Sequence, residues 1–164
     1  MLPDMNFQLR AIPQELADAA RATRRSPQYG HPAHLETASG HGPCRCCLQP
    51  FVVGRDQRLL FTYRPEGDPT SLMAPGPVFV HAEHCGAWQG EGFPEALAAL
   101  PLAFEGRGTQ GIVTGVSRDP AKPIAQRLAQ VFALDGTEYI HVRHAEAGCF
   151  IARVERRCAA MLAA

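Results

Sequence analysis

Near its C-terminal end the chain alternates so regularly that one local fold satisfies it. Residues 138–143 and 149–155 are two alternating runs separated by His144-Ala145-Glu146-Ala147-Gly148, a connection short enough for an antiparallel hairpin. With residues 144–148 as the loop, Arg143 opposes Cys149, His141 opposes Ile151 and Tyr139 opposes Arg153. Strand side chains alternate, so Tyr139, His141, Arg143, Cys149, Ile151 and Arg153 share one face. Ile140, Val142, Phe150, Ala152 and Val154 share the other, which is the core side. A chain ending in such a hairpin needs further strands or helices to cover that apolar face.

The rest of the chain supplies both. Phe7-Gln8-Leu9-Arg10-Ala11-Ile12 alternates like a strand, and Pro13 opens a helix over residues 14–25. Residues 26–43 and 64–77 carry many of the 15 glycines and 14 prolines and are expected to be long loops. Residues 45–51 and 58–63 flank the turn Val53-Gly54-Arg55-Asp56 as a hairpin, and residues 78–83 form another strand. A short helix follows over residues 94–100, then strands over 102–105 and 111–117. Asp119 is placed to cap a helix carrying Ile124, Leu128, Val131 and Phe132 on one face, with Gly136 as its stop. Strands and helices mix without regular βαβ alternation. The expectation is an α+β fold: a single domain over residues 1–164, mostly antiparallel sheet, with two or three helices and a tail at 157–164.

Charge and chain ends narrow the function. Sixteen basic residues balance sixteen acidic ones, which argues against coating nucleic acid or an anionic membrane. The opening Met1-Leu2-Pro3-Asp4-Met5-Asn6 has neither the basic nor the apolar region of a secretory signal. No apolar run approaches the ~20 residues that span a bilayer. A cytoplasmic protein is expected, in which thiols stay reduced. The six cysteines then read as thiols or metal ligands rather than a disulfide framework.

Cysteine and histidine concentrate in three places. Cys44 and Cys47 are in C-x-x-C register, and His81 and Cys85 are four apart. Two such pairs are the composition of a structural zinc site, where four soft or borderline ligands enclose the ion. The gap of 33 residues between Cys47 and His81 exceeds that of compact zinc fingers, and a folded domain can bridge it. The alternative fate of each cysteine is a small buried hydrophobe. The third place is the terminal hairpin. There Cys149 as nucleophile, His141 as base, and Tyr139, Arg143 and Arg153 as binding groups for an anion would make a thiol-dependent enzyme. A solvated outer sheet face explains the same residues without chemistry. His31, His34 and His41 fall in a loop without regular spacing, and Trp88 reads as a packing anchor.

Gly42-Pro43-Cys44-Arg45, the strand Gly76-Pro77-Val78-Phe79-Val80-His81-Ala82, and above all Tyr139-Ile140-His141-Val142-Arg143 with Ala147-Gly148-Cys149-Phe150-Ile151-Ala152-Arg153-Val154 resemble the bacterial family catalogued as domain of unknown function 1203. The resemblance runs from Phe7 through the terminal hairpin. It implies a small single-domain bacterial protein and brings no catalytic residues with it. Cys44, His141, Gly148 and Cys149 match the family pattern, and Cys46, Cys47, His84 and Cys85 belong to it less securely. Three functions remain open: a module binding zinc or a small anionic ligand, a thiol enzyme, or an interaction protein whose cysteines and histidines are structural.

Overall fold

The computed structural model describes residues 7–40, 42–65 and 73–157. The expectations for His41, Cys158, positions 66–72 of the second loop and the tail beyond residue 157 lie outside those residues. In chain order the elements are β1 (Phe7–Arg10), α1 (Gln14–Thr23), β2 (His34–Thr37), β3 (Gln57–Tyr63), β4 (Gly76–His81), α2 (Glu95–Ala98), β5 (Leu102–Arg107), β6 (Val113–Ser117), α3 (Ile124–Phe132), β7 (Tyr139–His144) and β8 (Phe150–Arg156). The described strands form two antiparallel sheets, one in the order β1-β8-β7-β5-β6 and one in the order β2-β3-β4. The architecture is α+β. No helix among the described residues is long and apolar enough to cross a membrane.

Each sheet has its own apolar cluster. On the larger sheet Phe104, Ile140, Val142, Ala152 and Val154 pack against Leu128, Val131 and Phe132 of α3 and against Leu97 of α2. This is the face that the spacing of apolar residues in α3 requires. On the smaller sheet Leu59, Phe61, Val78 and Val80 pack under Ala17 and Ala20 of α1, whose small side chains let the helix approach closely. The sheets meet where Tyr63, ending β3, lies against Phe150, opening β8, with ring centroids 5.7 Å apart.

Four local expectations need correction. The predicted loop over residues 26–43 contains β2, which pairs with β3. Residues 45–51 are not a strand: Cys44 and Leu48 close a tight turn through Leu48 N–H to Cys44 O (2.8 Å), and Leu48 takes φ 59°. A strand there would turn Arg45 toward solvent, whereas its guanidinium is buried, donating to Phe150 O and Pro43 O at 2.6 Å each. The third helix starts at Ile124 after Pro123 rather than at Asp119, whose carboxylate instead accepts from Ala121 N–H at 2.9 Å. Its end is Phe132, ahead of Gly136.

The fourth correction concerns the terminal hairpin. Its loop is closed by His144 N–H to Cys149 O (3.0 Å), with Gly148 at φ 76°, so Arg143 opposes Phe150 rather than Cys149. A bulge at Ile151 follows, and the pairing resumes as Val142 with Ala152 and His141 with Arg153. The extra residue exchanges two side chains. Phe150 moves to the face of His141, and Ile151 moves to the core beside α3.

Candidate metal centre

The centre begins with two short segments brought to one place by the smaller sheet. The turn at 44–47 is closed by Cys44 N–H to Gln49 O (2.9 Å) and docks on the free edge of β4 through Arg45 N–H to Phe79 O (2.9 Å). That docking sets the cysteine pair beside His81, the last residue of β4, and beside the loop carrying Cys85. Cys44, Cys47, His81 and Cys85 thereby present ligand atoms that all lie within 4.8 Å of one another. Cys44 Sγ is 3.7 Å from Cys85 Sγ, and Cys47 Sγ is 3.6 Å from His81 Nδ1. Tetrahedral zinc with bonds of about 2.3 Å to sulfur and about 2.0 Å to nitrogen requires edges of roughly 3.5–3.8 Å. All four cysteines in these segments are free thiols.

The surroundings suit such a ligand set. With Nδ1 turned to the sulfurs, His81 has its Nε2 3.3 Å from Asp56 Oδ2. A ligand histidine donating its second N–H to a carboxylate is the usual way its tautomer and ring orientation are held. Asp56 is itself fixed by accepting from Val52 N–H at 2.8 Å. The His81 backbone N–H donates to Cys44 Sγ at 3.3 Å, and Arg21 Nη2 donates to Cys85 Sγ at 2.9 Å. Three thiolates around a divalent ion leave one excess negative charge, which the Arg21 guanidinium offsets.

Without metal the crowded sulfurs cannot all ionise. Hydrogen bonds from Cys44, Cys46 and Cys47, with Arg21 nearby, hold the Cys85 thiol far below its usual range. Cys47 and Cys46 are pushed up, Cys47 first by its bond to Cys44 and Cys46 first by its bond to Cys85. His81 is raised to about 9, chiefly by its bond to Cys44.

Other residues singled out by the sequence lie elsewhere. Cys149 Sγ is 3.9 Å from Ala147 O and lines a cavity of about 770 Å³ with Arg107, Arg118, Arg143 and Glu105. His141 is fully buried and lines a different cavity with Arg153. No hydrogen bond joins Cys149 to His141 among the described residues. Arg143 donates to Glu105 Oε1 (3.0 Å) and to Gly148 O (3.1 Å), and the Arg153 guanidinium lies 3.8 Å from the Tyr139 ring centroid. Tyr139 is buried, so this face of the hairpin is covered rather than solvated. His31 bonds backbone groups of Pro32 and Thr62, His34 pairs with Glu36, and His84 pairs with Asp18. Trp88 packs against the larger core.

Two partners of the centre escaped sequence reasoning. Asp56 stands in the turn recognised at 53–56, but nothing local relates it to His81. Arg21 lies on α1 beside Asp18 (2.8 Å), and only the packing of α1 on the smaller sheet carries it to Cys85.

An α+β chain with a Cys₃His cluster is the class defined by this fold and site. Residues 41–156 match the family described as protein of unknown function (DUF1203), so the chain belongs to that family. The match covers the cluster and the terminal hairpin, while β1 and α1 precede it. No curated protein and no solved structure matches the chain.

Proposed function

We propose that Cys44, Cys47, His81 and Cys85 hold one zinc ion and that this centre is structural. The observation that carries the reading is the mutual approach of the four ligand atoms, all within 4.8 Å. Every tetrahedral position is taken by a side chain, so none is open for substrate, as in structural rather than catalytic zinc sites. When bound, the ion supplies a cross-link between the turn at 44–47 and the end of β4. Around it, Arg45 extends the same turn to β8 by its bond to the Phe150 carbonyl, so the centre fixes the place where the two sheets meet.

Metal analysis of the full chain purified without a histidine tag tests this directly. About one zinc per chain is expected, released in step with the exposure of three thiols. Metal-free protein with every thiol freely titratable overturns the reading. Asp56→Asn tests the supporting shell: with all four ligands kept, the zinc dissociation constant is expected to rise by roughly 10–100-fold, measured by competition with a chromophoric chelator.

A further inference from the structure

Glu105 and Arg107 stand two residues apart on β5, so their side chains leave the same face of the larger sheet. On the neighbouring β7, Arg143 opposes Ala103, whose methyl group leaves room for the guanidinium to reach diagonally to Glu105. Both arginines donate to one oxygen of that carboxylate: Arg107 Nε at 2.8 Å, with Arg107 Nη2 donating as well, and Arg143 Nε at 3.0 Å. Arg107 Nη1 is tied to Gly111 O (2.6 Å), and Arg143 Nη1 to Gly148 O (3.1 Å). Two guanidiniums sharing one carboxylate leave an unbalanced positive charge, held in a fixed place.

That place is the wall of the cavity of about 770 Å³ where this face meets Tyr63, ending β3, and Gly76, opening β4. The Arg143 guanidinium spans the wall from Glu105 to Gly148, both of which line the cavity. Its Nη2 has no hydrogen-bond partner among the described residues and is not buried, so it is open to an incoming acceptor. Arg118, directly after β6, lines the same cavity, is exposed, and forms no hydrogen bond or ion pair among the described residues. Asp119 is not in this lining, and its carboxylate is taken up by Ala121 N–H. The described lining therefore holds three guanidiniums and one carboxylate, an excess of two positive charges. Ile112, Val113 and Phe150 give it apolar wall. Charge of one sign between apolar walls concentrates ions of the other sign.

We propose that this cavity binds a phosphate monoester with an apolar body, its oxygens accepting from Arg143 and Arg118 while the body lies against Ile112 and Val113. Such a monoester carries a charge of about −1.5 to −2 at neutral pH, which matches the excess, and its oxygens suit the guanidinium fork. The site is separate from the metal centre and does not depend on the zinc reading. Cys149 lines the same cavity with a partly exposed thiol and stands outside the metal cluster, so its reactivity reports occupancy.

The test is calorimetric titration of the full chain, as purified, with phenyl phosphate, using benzoate, benzyl alcohol and benzylamine as controls. Saturable binding of phenyl phosphate is expected, with at least about tenfold weaker binding of each control. Arg143→Gln should raise the phenyl phosphate Kd at least about tenfold. Arg118→Gln should raise it several-fold, and because Arg118 is exposed and unpaired, far-UV circular dichroism should stay unchanged. Saturating phenyl phosphate should also slow alkylation of Cys149 by iodoacetamide, read from the mass of its peptide, which places the ligand in this cavity. The proposal is overturned if phenyl phosphate shows no saturable binding, if any control binds as tightly, if either folded variant titrates like the wild type, or if Cys149 is alkylated at the same rate with and without it.

Discussion

Stripping metal from the protein, or replacing Cys47 by serine, is expected to lower its stability by about 4 kcal/mol, the linkage expected when free zinc stands near a thousandfold its dissociation constant. For a chain of this size that is a fall in Tm of roughly 8–16 °C. The reason is geometric. The ion would tie Cys44 and Cys47 of the turn to His81 at the end of β4 and to Cys85, a cross-link added to backbone bonds such as Arg45 N–H to Phe79 O. Metal-free, the sulfurs of Cys44, Cys47 and Cys85 are crowded into one place with no ion to hold them together. Thermal melts with and without chelator measure the loss, and Cys149→Ser is the control, because Cys149 lies outside the cluster. Hydrogen exchange should show the loss confined first to residues 44–50 and β4, with β7 and β8 protected until global unfolding. Equal melts with and without chelator, on protein shown to contain zinc, would contradict a structural role.

The second large effect concerns His141. An imidazole buried with neither nitrogen paired costs stability, so His141→Phe is expected to stabilise the protein by about 1–3 kcal/mol at neutral pH. The same substitution should change the acid limb. The unfolded histidine titrates near the ordinary imidazole value of 6.5, whereas burial holds the folded one down to about 2. Between those values the unfolded chain binds one more proton than the folded chain, so stability falls as pH falls from about 6.5, by about 1.4 kcal/mol per pH unit. From about pH 6.5 to about pH 4.5 the wild type should lose roughly 2.3 kcal/mol more than the variant, because the unfolded imidazole is half protonated at the upper limit. Facing His141 are Arg153 and Glu105 as strand partners, with Arg143, Arg107 and Tyr139 close by. These groups are common to both proteins, as is any acid release of metal, and both cancel in the difference. Paired urea unfolding curves across that range measure it, and parallel acid limbs would show that His141 is not held neutral.

Much of the fold is legible because it is written in short-range periods. Leu128, Val131 and Phe132 repeat at helical spacing, and Ile140, Val142, Ala152 and Val154 alternate at strand spacing; both sets are buried where those periods put them. The misplaced elements share a different cause. β2 carries few apolar residues and is exposed along most of its length, so it leaves no hydrophobic pattern, only a hydrogen-bonding partner in β3. The bulge at Ile151 depends on a loop closed by His144 and Cys149 and on Gly148 at φ 76°, and alternation alone does not reveal an extra residue. Arg45 reads as a polar strand position yet is buried, its pKa lowered to about 10 by desolvation.

The two ligand pairs show where the boundary falls. Two cysteines three apart and a histidine four residues before a cysteine are facts of local chain geometry, so the sequence by itself determined the donor types and the pairing within each segment. It also determined that Tyr139, His141, Arg143 and Arg153 share a strand face. Only the tertiary structure decided that the pairs meet across 33 intervening residues, that Asp56 and Arg21 complete their surroundings, and that the face of His141 is covered by a second sheet rather than by water. Neighbours along the chain are constrained by backbone sterics and hydrogen bonds. Distant groups are brought together by the packing of whole elements, which depends on every buried side chain at once.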